Sequence, residues 1–182
     1  SQSPEELIAA TDKVVLDYED STDSRMFIPA VASGYRLPWP GGNTYVIVGA
    51  WATGSCPHWN NTNAVDVSMP IGSTIVAMKG GNVDVVVDSN DDCGCISTNS
   101  YNYVRINHND GTYAYYLHIG KNQALVSHNQ VVSQGQPIAR SDQVGNTCGS
   151  GACSSGSCGV GSNCRPGPHL HFHVTNSANT RL

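Results

Sequence analysis

The sequence predicts a mainly β protein: a compact antiparallel β-sheet domain with long loops, stabilised by disulfides and preceded by one N-terminal helix. Three observations support this fold class. Short β-branched or aromatic segments recur along the chain between Gly, Asn, Asp and Pro residues, as is typical of strands and turns. Charged residues make up only 13% of the chain, which disfavours a helical bundle. Seven cysteines favour disulfides in an exported protein.

The N-terminal helix is predicted at residues 4–17. Ser3 can cap it, Pro4 suits the first helical position, and Glu6 stands three residues after the cap, as a capping box requires. Apolar residues then recur at helical spacing, but none of them bears chemistry. We therefore expect this helix either to pack on the outside of a β domain or to be a remnant of an upstream segment.

Nine strands are predicted after the helix, with one dominant antiparallel sheet. A hairpin turn is predicted at 108–111, where His-Asn-Asp-Gly separates two strands. His108 and His128 stand in turn-like polar contexts, so we expect both to be solvated loop residues. The predicted strands are residues 45–49, 65–67, 74–78, 83–87, 103–107, 114–118, 131–132, 137–140 and 169–175.

The segment from Asn146 to Gly167 consists almost wholly of Gly, Ser, Asn and Cys, so it lacks the side chains for a core. We expect a loop that is held by disulfides and forms a wall of any adjacent site. A zinc knuckle built from the last four cysteines is the alternative, but their spacing is wider than in usual structural zinc sites. An odd count leaves at least one thiol free or paired outside the chain. The cysteines are Cys56, Cys93, Cys95, Cys148, Cys153, Cys158 and Cys164.

Charge and hydropathy exclude several classes of partner. The formal net charge of -5 disfavours a general attraction to nucleic acid or anionic membrane. No apolar run approaches the roughly 20 residues that span a bilayer, and no signal sequence opens the chain. We expect a secreted monomer, in the mature form that remains after removal of a signal and a propeptide.

The segment Gly167-Pro168-His169-Leu170-His171-Phe172-His173 carries the strongest functional signal. Its three histidines alternate with apolar residues, so a β-strand would project all three from one face. Imidazole is the commonest ligand for a transition metal and titrates near neutrality. A solvated edge strand is the alternative, which the ordered triplet beside a Gly-Pro turn disfavours. The pattern therefore indicates a metal site, an acid/base site or both.

Asp66 interrupts an apolar strand between Val65 and Val67. A carboxylate in such a place costs energy unless it is paired or bound to a metal. With His58 and His171, it makes a set of two imidazoles and one carboxylate. This set suits Zn²⁺ with three protein ligands and one position left for water.

These motifs resemble the lysostaphin-type zinc metalloendopeptidase family, most closely its beta-lytic metallopeptidase and staphylolysin branch. The likeness runs from residue 37 to residue 174 and divides the chain into a helix and extended lead-in at 1–36 and a catalytic domain at 37–182. It rests on His58 with Asp66 to Gly72, Tyr116-Leu117-His118, Val132 to Ile138, and Gly167 to Phe172.

The resemblance implies that His58, Asp66 and His171 bind one zinc ion, and that His118 and His169 are the catalytic histidines. It places Tyr116 near the substrate or the oxyanion. No His-Glu-x-x-His helix supplies a glutamate base, so proton transfer and oxyanion stabilisation fall to the two catalytic histidines. Which histidine performs which of the two tasks is left open. His173 is expected to be solvated or to support a ligand rather than to bind the metal.

A family member of this kind is expected to hydrolyse peptide bonds in Gly-rich or small-residue segments. Its substrates would be peptidoglycan cross-links and stem peptides, which makes it bacteriolytic, or elastin-like proteins. The alternatives are a catalytically inactive member that binds cell wall or protein, and a D-Ala-D-Ala-type zinc peptidase. The Glu-containing final ligand motif of the D-Ala-D-Ala-type zinc peptidases is absent from this chain.

Overall fold

The structure is a computed structural model that describes residues 34–50, 63–91, 93–94, 101–147 and 167–182. These ranges contain no helix, and therefore none that is long and apolar enough to cross a membrane. The predicted helix at 4–17 and the side chains of the cysteines lie outside the described part of the chain. The strands are β1 (Ile47–Ala50), β2 (Ala64–Ser68), β3 (Thr74–Val76), β4 (Gly81–Val87), β5 (Cys93–Gly94), β6 (Tyr103–Asn107), β7 (Thr112–Leu117), β8 (Ile119–Ala124), β9 (Val131–Val132), β10 (Pro137–Ser141), β11 (Gly145–Asn146) and β12 (His169–Asn176).

Seven of these strands form one antiparallel sheet in the order β1-β2-β12-β7-β6-β4-β9. Strands β3, β10 and β8 form a second antiparallel sheet, and β11 pairs with β5 in parallel. The prediction of a mainly β protein with one dominant antiparallel sheet is therefore confirmed for the described residues.

Strand β12 lies between β2 and β7, so it is covered on both edges by other strands. Leu170 and Phe172 belong to the hydrophobic core. His169, His171 and His173 occupy the alternate positions and face the other side of the sheet. The histidine triplet therefore sits on an interior strand, not on the solvated edge strand that was the alternative interpretation.

Strand β8 is not apparent in the sequence, because Lys121, Asn122 and Gln123 are polar and exposed. It begins two residues after β7 ends and pairs with β10 in the second sheet. His118 is the single residue between β7 and β8. The chain therefore passes from the large sheet to the small one at His118, which the family resemblance predicts to be catalytic.

The predicted hairpin turn at 108–111 is confirmed and joins β6 to β7. His108, however, is not solvated as its polar context predicts, since only 7% of it is exposed. Its Nδ1 donates to the carbonyl of Gly80 at 2.9 Å, and its ring meets the edge of the Tyr35 ring at 5.3 Å. These partners come from distant parts of the chain, which a local polar pattern cannot reveal. His128 is exposed, as predicted.

Candidate active site

Asp66 and His171 lie directly opposite each other on β2 and β12. Asp66 Oδ1 accepts a hydrogen bond of 2.8 Å from His171 Nδ1, and the residues are 8% and 9% exposed. Because Val67 packs in the core, strand alternation turns Asp66 toward the opposite face. His171 thereby supplies a partner that a buried carboxylate needs.

His169 belongs to the same group and is only 2% exposed. Its Nε2 lies 3.7 Å from Asp66 Oδ1. Its Nδ1 donates to the carbonyl of Gly167 at 2.8 Å. Two imidazoles, those of His169 and His171, therefore gather around one carboxylate oxygen.

His118 joins this group because its backbone departs from strand geometry. Its φ of 63° lies in the left-handed region that non-glycine residues rarely adopt. Simple alternation would place its side chain on the core face with Tyr116. Instead, its ring centroid lies 4.5 Å from that of His169 and 6.1 Å from that of His171.

The environment of His118 keeps its imidazole neutral. Burial is the largest of the causes that hold the pKa of His118 well below its usual range, and the nearby imidazoles of His169 and His171 lower it further. At pH 7 the ring therefore carries a lone pair on one nitrogen. Such a ring can accept a proton, as a general base does.

Backbone carbonyls determine which nitrogen of each catalytic candidate carries the proton. His118 Nδ1 lies 2.8 Å from the Val144 oxygen, and His169 Nδ1 lies 2.8 Å from the Gly167 oxygen. A carbonyl oxygen can only accept, so each Nδ1 must donate. In the neutral ring the lone pair is then on Nε2, which directs the basic atom of both histidines away from these carbonyls.

Several neighbours hold His118 in its unusual conformation. Its N–H donates to the Asn102 oxygen at 3.0 Å, and its carbonyl accepts from Asp142 N at 2.8 Å. The buried Asn102 amide also donates to the Ile119 carbonyl at 3.3 Å. Gly145 packs so closely that an added Cβ would lie 3.4 Å from His118 Nδ1. Sequence reasoning missed Asn102 and Gly145, because neither stands in a motif.

His173 extends the row of histidines along β12. Its Nδ1 lies 3.2 Å from His171 Nε2, and Tyr115 of β7 stacks on its ring at 4.6 Å with an interplanar angle of 17°. Only 7% of His173 is exposed. Of the two expectations for this residue, the solvated one is therefore wrong, and the structure places it against a predicted metal ligand.

Tyr116, the predicted substrate or oxyanion residue, lies in the hydrophobic core with 0% exposure. Its hydroxyl accepts a hydrogen bond of 2.8 Å from Met78 N, and burial raises the pKa of that hydroxyl. Its register partner on β12 is Phe172, which shares the core face, whereas His171 points to the other face. The structure does not bring Tyr116 to the histidine group, and we leave it out of the proposed site.

The residues present fit a zinc ion that takes a further protein ligand from elsewhere on the chain. His58, the third predicted ligand, lies outside the described residues, and the described residues alone contain no group of three or more metal-binding side chains. Asp66 and His171 nevertheless present an oxygen and a nitrogen 2.8 Å apart. Both atom types are zinc ligands, and buried, hydrogen-bonded settings are usual for ligands of this kind.

A sequence profile described as Peptidase family M23 matches residues 60–181. A zinc-containing peptidase from Vibrio cholerae is 25% identical with a TM-score of 0.53, and the match covers 81% of this chain and 38% of that chain. This chain thus spans well under two thirds of the Vibrio protein. No curated protein sequence matches this chain significantly.

Two further solved structures share the fold at lower identity. A mutant of the catalytic domain of the prophage-encoded M23 protein EnpA from Enterococcus faecalis is 18% identical with a TM-score of 0.52, covering 80% of this chain and 92% of that chain. The M23 metalloprotease pseudoalterin from the deep sea is 19% identical with a TM-score of 0.50, covering 83% of this chain and 75% of that chain.

Proposed function

The chain belongs to peptidase family M23, and we propose that it is a secreted zinc metalloendopeptidase that cuts Gly-rich or small-residue segments. The observation that carries this proposal is the contact between Asp66 and His171 beside the rings of His118 and His169. It combines a metal-ligand pair with two groups suited to proton transfer. All four residues fall within the span that matches the family.

Zinc would be held by Asp66, His171 and His58. When bound with one open position, zinc supplies a water of lowered pKa and polarises the scissile carbonyl. The chain's own residues must then bind the substrate, move the proton and stabilise the developing charge.

We assign the proton transfer to His118. Its ring is neutral at pH 7 because its pKa is lowered, and its Nδ1 is committed to the Val144 carbonyl. Nε2 is therefore the atom that takes a proton from the attacking water and returns it to the departing amine. His169 is assigned to the carbonyl oxygen as negative charge develops on it. Because its Nδ1 already donates to the Gly167 carbonyl, His169 can fill this role only as the doubly protonated ring, whose second N–H is on Nε2, 3.7 Å from Asp66 Oδ1.

The depth of the site supports a substrate with small side chains. His118, His169 and His171 are 7%, 2% and 9% exposed, so a peptide must bring its backbone very close to reach them. Glycine has no Cβ to obstruct this approach. Peptidoglycan cross-links and stem peptides are the substrate class that we favour, and elastin-like proteins are the second.

Hydrolysis with and without a chelator tests this function. Zinc-loaded protein is incubated with pentaglycine, purified cell walls and elastin. We expect 1,10-phenanthroline to abolish cleavage, and added Zn²⁺, but not Mg²⁺, to restore it. If zinc-loaded protein cleaves none of the three, the peptidase proposal is wrong. Co-sedimentation with cell walls in that case would favour the inactive, wall-binding alternative.

Secretion is supported by the seven cysteines, since disulfides persist in oxidising compartments. Thiol titration of the denatured, unreduced protein from culture medium tests this part of the proposal. We expect at most one reactive thiol per chain. Seven reactive thiols in freshly isolated protein would contradict it.

A further inference from the structure

His171 is held through both of its ring nitrogens. Its Nδ1 lies 2.8 Å from Asp66 Oδ1, and its Nε2 lies 3.2 Å from His173 Nδ1. An imidazole that is fixed at one nitrogen alone can still pivot about that contact. The contact with His173 therefore fixes the direction in which Nδ1 points.

We infer, on the basis of the proposed zinc function, that His173 is a positioning residue that holds Nδ1 of His171 toward the metal site. A nitrogen that binds a metal carries no proton, so a neutral His171 bound through Nδ1 has its proton on Nε2. That N–H needs an acceptor, which metal-binding histidines usually find in a carboxylate, a carbonyl or water. His173 Nδ1 is the acceptor in this chain.

Neighbouring side chains hold His173 in the orientation that this role requires. Tyr115 stacks on its ring at 4.6 Å. The Tyr115 hydroxyl accepts a hydrogen bond of 3.0 Å from Arg105 Nη1 and donates one of 3.2 Å to Asn179 Oδ1. Arg105 is itself paired with Asp84. The stacked ring is therefore anchored at its far end, and it restricts rotation of His173.

Two roles for His173 can be separated by substitution, because the ring and the acceptor atom can be removed independently. His173→Asn loses the stacked ring but keeps a polar amide atom close to the position of Nδ1. His173→Leu has the same branching as Asn and no polar atom. His173→Phe keeps a stacking ring but has no acceptor. A positioning role depends on the acceptor, whereas a packing role depends on the ring.

The test measures zinc affinity by competition with a chromophoric chelator, alongside thermal unfolding of each metal-free variant and peptidase activity of each loaded one. We expect H173F and H173L to bind zinc about 10- to 100-fold more weakly than the wild type. We expect H173N to stay within about threefold of the wild type, because it retains a hydrogen-bonding atom beside His171.

The outcomes that overturn this inference are distinct. Wild-type affinity in H173F together with weak binding by H173N shows a packing role, and equal affinity in all variants shows no role. If H173F and H173L do not fold, Tyr115→Leu is compared with His173→Ala instead. Y115L removes the stacked ring but keeps the hydrogen bond between His173 and His171, whereas H173A removes both. Y115L should therefore bind zinc more tightly than a folded H173A. Equal affinities in that pair overturn the inference. A wild-type chain that binds no zinc overturns the proposed function as well.

Discussion

Asp66 Oδ1 and His171 Nδ1 lie 2.8 Å apart at register-paired positions of two neighbouring strands. Asp66→Asn keeps the size of this side chain and one acceptor oxygen but removes the negative charge that a divalent cation requires. We expect D66N to lose zinc affinity and peptidase activity by about 100-fold or more. Atomic absorption of the dialysed protein and hydrolysis of a Gly-rich peptide measure the two effects.

Asp91→Asn is the matched control, since Asp91 is exposed and pairs with Lys121 at the surface. D91N should retain zinc and activity. If D66N binds zinc as tightly as D91N does, Asp66 is not a metal ligand.

His118→Asn separates proton transfer from structure. The Asn amide can replace Nδ1 as the donor to the Val144 carbonyl, but it has nothing at the position of Nε2. We expect kcat to fall by about 10²- to 10⁴-fold, as for loss of a general base, with zinc content unchanged. Steady-state kinetics and metal analysis on the same preparation check both parts.

His128 provides the control for this substitution. Its Nδ1 also donates to a backbone carbonyl, that of Asp84 at 2.9 Å, but the residue is exposed. H128N should keep the wild-type kcat. A wild-type kcat in H118N, or loss of zinc from it, would contradict the role assigned to His118.

His118 also shows why part of the site could be predicted from sequence and part could not. Alternation along a strand is a local rule, and it places His169, His171 and His173 on one face. It also turns Asp66 of β2 away from the core, but it does not give the strand register that sets Asp66 opposite His171. The rule fails at His118, because a φ of 63° turns its side chain off the face that alternation assigns to it. Such a backbone departure depends on tertiary contacts, including the hydrogen bond to Asn102.

The family resemblance alone places Tyr116 at the site. Tyr116 lies two positions before His118, and the two residues would share a face if the strand continued. The strand ends at Leu117 instead, and Tyr116 stays with the core. The periodicity of the sequence predicts the fold class. It does not predict β8, because the exposed residues of that strand are polar.

Tyr116→Phe distinguishes a core role from a catalytic one. The substitution removes the acceptor of the Met78 N–H bond in a fully buried setting. We expect a loss of about 1–3 kcal/mol in the free energy of unfolding and an unchanged kcat per folded molecule. Chemical denaturation and kinetics measure them. A kcat reduced tenfold or more at unchanged stability would return Tyr116 to the active site.

His108 should make stability depend on pH. Burial lowers its pKa, and the hydrogen bond to Gly80 offsets this only in part. The unfolded chain therefore binds more protons than the folded one as pH falls below about 6.5, and the free energy of unfolding decreases there by up to about 1.4 kcal/mol per pH unit. Above that pH neither state is protonated, and this dependence disappears.

His108→Asn removes the titrating group but keeps an amide donor for the Gly80 carbonyl. Denaturation at about pH 7.5 and pH 5.5 should show a smaller loss of stability for H108N than for the wild type. Equal losses in H108N and the wild type would show that His108 does not contribute.

Gly145→Ala tests whether close packing holds His118 in place. A Cβ at Gly145 would lie 2.7 Å from Tyr101 Cβ and 3.4 Å from His118 Nδ1, and the φ of 98° itself disfavours a side chain. We expect the displaced backbone to weaken the Val144 contact and to lower kcat about tenfold or more. The unfolding free energy should also fall by more than about 1 kcal/mol.

Gly111→Ala isolates the effect of the backbone conformation. Gly111 has a φ of 86°, but its Cβ would have nothing within 4 Å. G111A should lose about 1 kcal/mol of stability from the left-handed conformation and keep the wild-type kcat. Both glycines have a positive φ that disfavours a side chain, but only Gly145 is packed against other residues. A kcat that falls equally in G145A and G111A would therefore mean that packing against His118 has no part in catalysis.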